Sequence, residues 1–106
     1  MIAYNKIKGL IAAVFTPFHE DGSIHPELIP AYADQLKRRG VAGVFVNGSS
    51  GEGVLMTTEE RERLAEAWVQ HKTENFKVIV HVGSTSVATA KALAAHASAI
   101  GADAIG

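Results

Sequence analysis

One stretch combines the residue types and spacing that could hold an anion: Gly48-Ser49-Ser50-Gly51-Glu52-Gly53. Glycines let backbone N–H groups come close to a ligand. Two adjacent hydroxyls add donors. Together they could grip a carboxylate or phosphate with no formal positive charge. The alternative is a glycine-rich turn whose serines satisfy its own backbone. It is not a Walker A loop, because no Gly-Lys-Ser/Thr follows. The glycines are also wrongly spaced for a dinucleotide fingerprint.

Thr16-Pro17 and Gly83-Ser84-Thr85 follow two other apolar runs in the same way. Hydroxyls at three successive strand ends suggest one polar pocket, although Ser and Thr are favoured in turns and caps generally. His81 sits inside a strand-like run and reads as a satisfied core histidine. His19, His25, His71 and His96 are scattered, and no pair shows metal-ligand spacing, so no metal and no cofactor are expected. Glu52 reads as a buried organiser of the loop, Trp68 as packing. No lysine is placed for Schiff-base chemistry, which needs a desolvated amine: Lys6, Lys8, Lys37, Lys72, Lys77 and Lys91 all avoid strand carboxyl ends.

The elements that must position these groups follow from apolar period. The first strand is expected over Lys8–Phe15, nearly continuous in apolar residues, as suits a strand covered on both faces. A loop over Thr16–Gly22 carries Pro17 and Asp21-Gly22 as turn signals. A helix opens at Pro26 and presents Leu28, Ile29, Tyr32, Ala33 and Leu36. Pro30 inside it predicts strain or a kink in the first turn, and Gly40 ends it. The second strand is Val41–Val46. Thr57-Thr58-Glu59-Glu60 matches a capping box and opens a helix bearing Leu64, Ala65, Trp68 and Val69. Phe76–Val82 forms the third strand and Ala88–Ile100 an alanine-rich third helix, capped by Gly101. Ala102–Gly106 starts a fourth strand that the sequence end cuts short.

This β-α-β-α-β-α-β alternation predicts an α/β fold with a parallel sheet and right-handed crossovers. Strand centres recur at about 30 residues, one strand-plus-helix unit. An open doubly wound sheet and part of a (β/α)8 barrel both remain compatible.

Composition bounds the rest. The 106 residues suffice for one small domain, and 47% hydrophobic against 20% charged residues supports a packed core. A formal net charge of −1 argues against nucleic acid or an anionic membrane as partner. With no cysteine, disulfides and thiolate chemistry are excluded. No segment approaches the ~18 apolar residues of a membrane span. Met1–Phe15 lacks a signal-peptide core and cleavage site, so a soluble cytoplasmic protein is the expectation.

At these residues the chain resembles a known family, the class I aldolases of the N-acetylneuraminate lyase and dihydrodipicolinate synthase type. The matching pieces are Gly9-Leu10-Ile11-Ala12-Ala13, Thr16-Pro17-Phe18, Phe45-Val46-Asn47-Gly48-Ser49-Ser50-Gly51-Glu52-Gly53, Glu60-Arg61 and Gly101-Ala102-Asp103-Ala104. The loop and Val80-His81-Val82-Gly83 are more similar to the sialic acid lyase branch than to the synthase branch, which usually carries two threonines in the loop. The resemblance implies residues 1–106 are the N-terminal half of a (β/α)8 TIM barrel, truncated in strand four. It implies reversible aldol cleavage of N-acetylneuraminate to N-acetylmannosamine and pyruvate, so the partners are a 2-keto acid and a sugar aldehyde. Pyruvate's carboxylate would sit on Ser49 and Ser50, flanked by Gly48 and Gly51 and near Thr16. Ser50 would also relay to a tyrosine on strand five. That tyrosine, and the Schiff-base lysine on strand six, lie off this sequence, so the chain alone is expected to be inactive. Family members are usually homotetramers. The alternatives are a synthase or another 2-keto acid aldolase, and a non-catalytic, self-associating half-barrel or small-anion module.

Overall fold

A computed structural model describes residues 6–106; residues 1–5 of the N-terminal segment lie outside the described residues. Four strands, β1 (Ile11–Ala13), β2 (Gly43–Val46), β3 (Lys77–Val80) and β4 (Ala104–Ile105), alternate with three helices, α1 (Ile29–Arg38), α2 (Thr58–Val69) and α3 (Val87–Ile100). Every neighbouring pair is parallel and the strand order is β1-β2-β3-β4. That order separates the two architectures that apolar period alone left open, in favour of the barrel that the resemblance implies. A doubly wound sheet reverses direction at a switch point, whereas barrel strands follow one another in chain order. The described sheet has no reversal.

Alternation along the strands sets the layers. Val44, Val46, Val78 and Val80 are buried, while Phe45, Ile79 and His81 between them are half-buried. The valines share one core with Ile29 and Ala33 of α1, Leu64 and Trp68 of α2, and Ala97 of α3. All three helices therefore cover the same sheet face. Trp68 is 1% exposed and meets Tyr32 edge-on, so it packs, as its place on the helix suggests.

The first strand is shorter than expected. Leu10 is 79% and Phe15 71% exposed, so the run is covered on the helix side alone among the described residues. Its apolar continuity overstated its burial. Pro30 falls in the first turn, as expected, and costs no hydrogen bond there. The chain enters through a 3-10 turn, Pro26–Leu28, and α1 proper starts at Ile29, which leaves Pro30 in the first turn where no N–H is needed.

The capping box is fully formed. Thr57 N–H donates to Glu60 Oε1 at 2.9 Å, and Glu60 N–H donates to Thr57 Oγ1 at 3.1 Å. Such a cap is worth about 1 kcal/mol and sets where the β2–α2 loop must end. Ser86 caps α3 by accepting from Thr89 N–H, and Gly101 closes it with φ 89°.

Candidate active site

The loop after β2 is built on two residues that sequence reading left without a role. Asn47, 1% exposed, leaves the strand with φ 65°. Its Nδ2 donates to the Arg61 carbonyl at 2.9 Å. Arg61, 5% exposed, donates from Nη1 to Gly83 O at 2.8 Å and from Nη2 to His81 O at 2.9 Å. One helical residue thus ties the segment after β2 to the segment after β3. Burial lowers the guanidinium pKa below its ordinary value, but arginine keeps its charge in proteins. The signal was present in the sequence. Arg61, Leu64, Ala65 and Trp68 form the buried stripe of α2, with arginine at an apolar position of the helical period.

Glu52 does not organise the loop. It is exposed, with φ 59°, and contributes its backbone to the turn. The anchoring expected of its carboxylate falls to Asn47 and Arg61, which reach the buried interior where Glu52 does not.

Backbone bonds close the turn itself. Gly51 N–H and Gly53 N–H both donate to Gly48 O at 3.1 Å, and Glu52 N–H donates to Ser49 O at 3.1 Å. Gly48, Gly51 and Gly53 are buried, while Ser49 and Ser50 stand exposed on the outside of the bend. Because the turn is closed by main chain, the serine side chains are not what holds it. The half-buried Thr16 donates from Oγ1 to Gly51 O at 2.5 Å, which fastens the loop to the end of β1. Thr16, Gly48, Ser49, Ser50 and Gly51 therefore come together at the carboxyl ends of β1 and β2.

The single polar pocket expected from three strand ends is not observed. Ser84 and Thr85 open on a separate cavity of about 310 Å³ with Arg61, Thr57 and Thr89 in its walls, and Ser49 and Ser50 take no part in it. Ser84 Oγ accepts from Ser86 N–H, the ordinary turn role of a serine. Gly53, Val54 and Met56 at the end of the β2–α2 loop line the same cavity, so the two loops share its walls while the serine pair lies outside it.

His81 lies on the sheet face away from the helices. Its Nδ1 is 2.9 Å from Gly106 O; since a carbonyl only accepts, that nitrogen carries the proton. Its ring meets Phe45 with centroids 5.6 Å apart. Among the described lysines, none stands at the carboxyl rim. Lys77 opens β3 at its amino end, Lys91 is exposed on α3, and Lys72 Nζ donates to Gly101 O.

Comparison with known proteins gives this arrangement its setting. The chain is 48% identical to N-acetylneuraminate lyase of Danio rerio over 94% of its length, and 45% identical to that of Homo sapiens, also over 94%. It covers 33% and 32% of those proteins, so it spans about a third of the curated relatives it matches. Among solved structures, N-acetylneuraminate lyase of Proteus mirabilis superposes with TM-score 0.90 at 40% identity, over 95% of this chain and 34% of that one. Dihydrodipicolinate synthase of Aquifex aeolicus superposes with TM-score 0.85 at 33% identity, over 92% and 33%. These are aldolases of the TIM-barrel class, and the four in-order parallel strands described above are what this chain shares with them. The loop bearing Ser49 and Ser50, the consecutive strand order and a match across residues 6–106 agree: the chain belongs to the Dihydrodipicolinate synthetase family.

Proposed function

We propose that residues 1–106 form a partial (β/α)8 barrel and supply the acid-binding part of a Schiff-base aldolase of the N-acetylneuraminate lyase type. The reaction is cleavage of N-acetylneuraminate to N-acetylmannosamine and pyruvate. The observation that carries this reading is the exposed Ser49-Ser50 pair on a bend closed by its own backbone and anchored by Thr16. A carboxylate there meets two hydroxyls and needs no rearrangement of the loop, which lowers the cost of binding. Gly48 and Gly51 shape the bend, and Thr16 positions it. Ser50 carries the relay toward a tyrosine that other parts of the protein must provide, as they must the lysine. The curated relatives named as the lyase, at 48% and 45% identity, support that branch over the synthase. The family resemblance extends the proposal to a cytoplasmic homotetramer.

Borohydride trapping with pyruvate tests the reading. The full-length protein is expected to form a covalent adduct, and the 106-residue chain none. In the full-length protein, Ser49→Ala with Ser50→Ala should weaken pyruvate capture by about 100-fold, the worth of two hydrogen bonds to a charged group. An adduct on the 106-residue chain, or an unchanged double variant, overturns it.

A second reading rests on a different observation. Phe15 is 71% and Ile105 51% exposed, and β1 and β4 are both edge strands in the described sheet. Open edges invite pairing with another copy, which favours a self-associating half-barrel. Sedimentation of the 106-residue chain should then show a concentration-dependent dimer, and a clean monomer removes this reading.

A further inference from the structure

The turn after β1 brings together three groups that lie apart in sequence. His19 N–H donates to Ser23 O and His25 N–H donates to Pro17 O, each at 2.8 Å. Phe18 and Ile24 pair as an antiparallel bridge between them. Opposed residues of such a pair share a face, and faces alternate along each strand. Ile24 is buried and the more exposed Phe18 shares its face, so His19 and His25 lie together on the opposite face. Their rings stack with centroids 3.8 Å apart and planes 20° from parallel. The 3-10 turn that follows brings Glu27 Oε2 to 3.8 Å from His25 Nε2.

We propose that His19, His25 and Glu27 form a binding site for a borderline divalent metal ion of the zinc class. One donor atom from each lies within 4.8 Å of the other two, the one such trio of His, Asp or Glu among the described residues. Donors on a single tetrahedral ion, each at about 2.1 Å, lie about 3.4 Å from one another. An ion binds in the plane of each imidazole, so the two rings must unstack as the donors close on it. At 3.8 Å the His25–Glu27 pair is beyond hydrogen-bond range, so no direct bond competes with the ion.

Two imidazoles and one carboxylate suit zinc, nickel or copper(II) and disfavour magnesium and calcium, which prefer all-oxygen sites. Three protein donors leave the remaining positions to water. Asp21 does not join them. Its Oδ1 accepts from both the N–H and the hydroxyl of Ser23, which holds its carboxyl below the usual range and fixes the tip of the turn. The ion would clamp the connection from β1 to α1 just beyond Thr16. The site shares no residue with the Ser49-Ser50 bend and stands or falls separately from the aldolase reading.

Calorimetric titration of untagged, chelator-treated full-length protein with zinc chloride tests this. One saturable site is expected. His19→Ala and His25→Ala should each weaken it by more than about 100-fold, beyond what loss of a partner outside the ligand set typically costs. His96→Ala, at a histidine already 2.9 Å from Glu66, should leave it unchanged. Circular dichroism confirms that the variants fold, and cobalt(II) should give a visible absorption band that the His19→Ala protein lacks. Absence of saturable binding, or binding retained by a His19→Ala, His25→Ala double variant, overturns the proposal.

Discussion

Gly53→Ala is expected to destabilise the protein by about 3 kcal/mol, the upper range for forcing a group into a packed site. A Cβ at this position would stand 1.9 Å from the Asn47 carbonyl oxygen and 2.8 Å from its carbonyl carbon. Neither atom can yield cheaply. Asn47 is buried, holds φ 65° and is tied through Nδ2 to the Arg61 carbonyl. Moving it would drag the Ser49-Ser50 bend with it. For a domain of this size the loss corresponds to a fall in Tm of roughly 10–20 °C. Gly22→Ala serves as the contrast. Gly22 has φ 90° but nothing within 4 Å of an added Cβ, so it carries only the left-handed backbone penalty of about 1–2 kcal/mol. Thermal unfolding followed by circular dichroism separates the two. A Gly53→Ala protein melting within a degree or two of wild type would show that the loop is looser than its contacts imply.

What the sequence revealed, and what it hid, follows from how local each cause is. The capping box was legible because both partners lie within one turn of helix, Thr57 to Glu60. Strand–helix alternation was legible because apolar period is local. The sheet order was legible only through the family resemblance, because residue pattern alone suits either a reversed or a consecutive sheet. Glu52 was misread because a carboxylate among glycines looks like an organiser, while the groups able to organise are decided by burial. His19 and His25 looked unrelated at six residues apart until the Phe18–Ile24 bridge folded their backbones together. Arg61 was hidden for the opposite reason. Its place on the stripe with Leu64 and Trp68 was visible, but an arginine at an apolar position is easily discounted, since charged residues are rarely buried unless paired.

Arg61 therefore carries the second large expected effect. Arg61→Met keeps the apolar stem of the side chain and removes the guanidinium. Gly83 O and His81 O then lose their donors beneath a half-buried surface. Stranding them costs about 1–3 kcal/mol each. Against this stands the charge's own desolvation, which burial imposes and the lowered pKa records. Removing it returns part of the loss. The net expectation is a destabilisation of about 3 kcal/mol, read from urea unfolding. Arg61→Lys should recover part of it, because one ammonium can reach one carbonyl and cannot span both as the planar fork does. A second readout distinguishes a general loss of packing from a specific loss of the link between loops. Since the Arg61 carbonyl holds Asn47, and Asn47 opens the Ser49-Ser50 bend, amide exchange at Gly51 and Gly53 should accelerate in Arg61→Met ahead of that in β2. If all of these amides accelerate together, Arg61 only fills space. If the bend opens first, the residue that holds it in place lies on the following helix, outside the motif that drew attention to it.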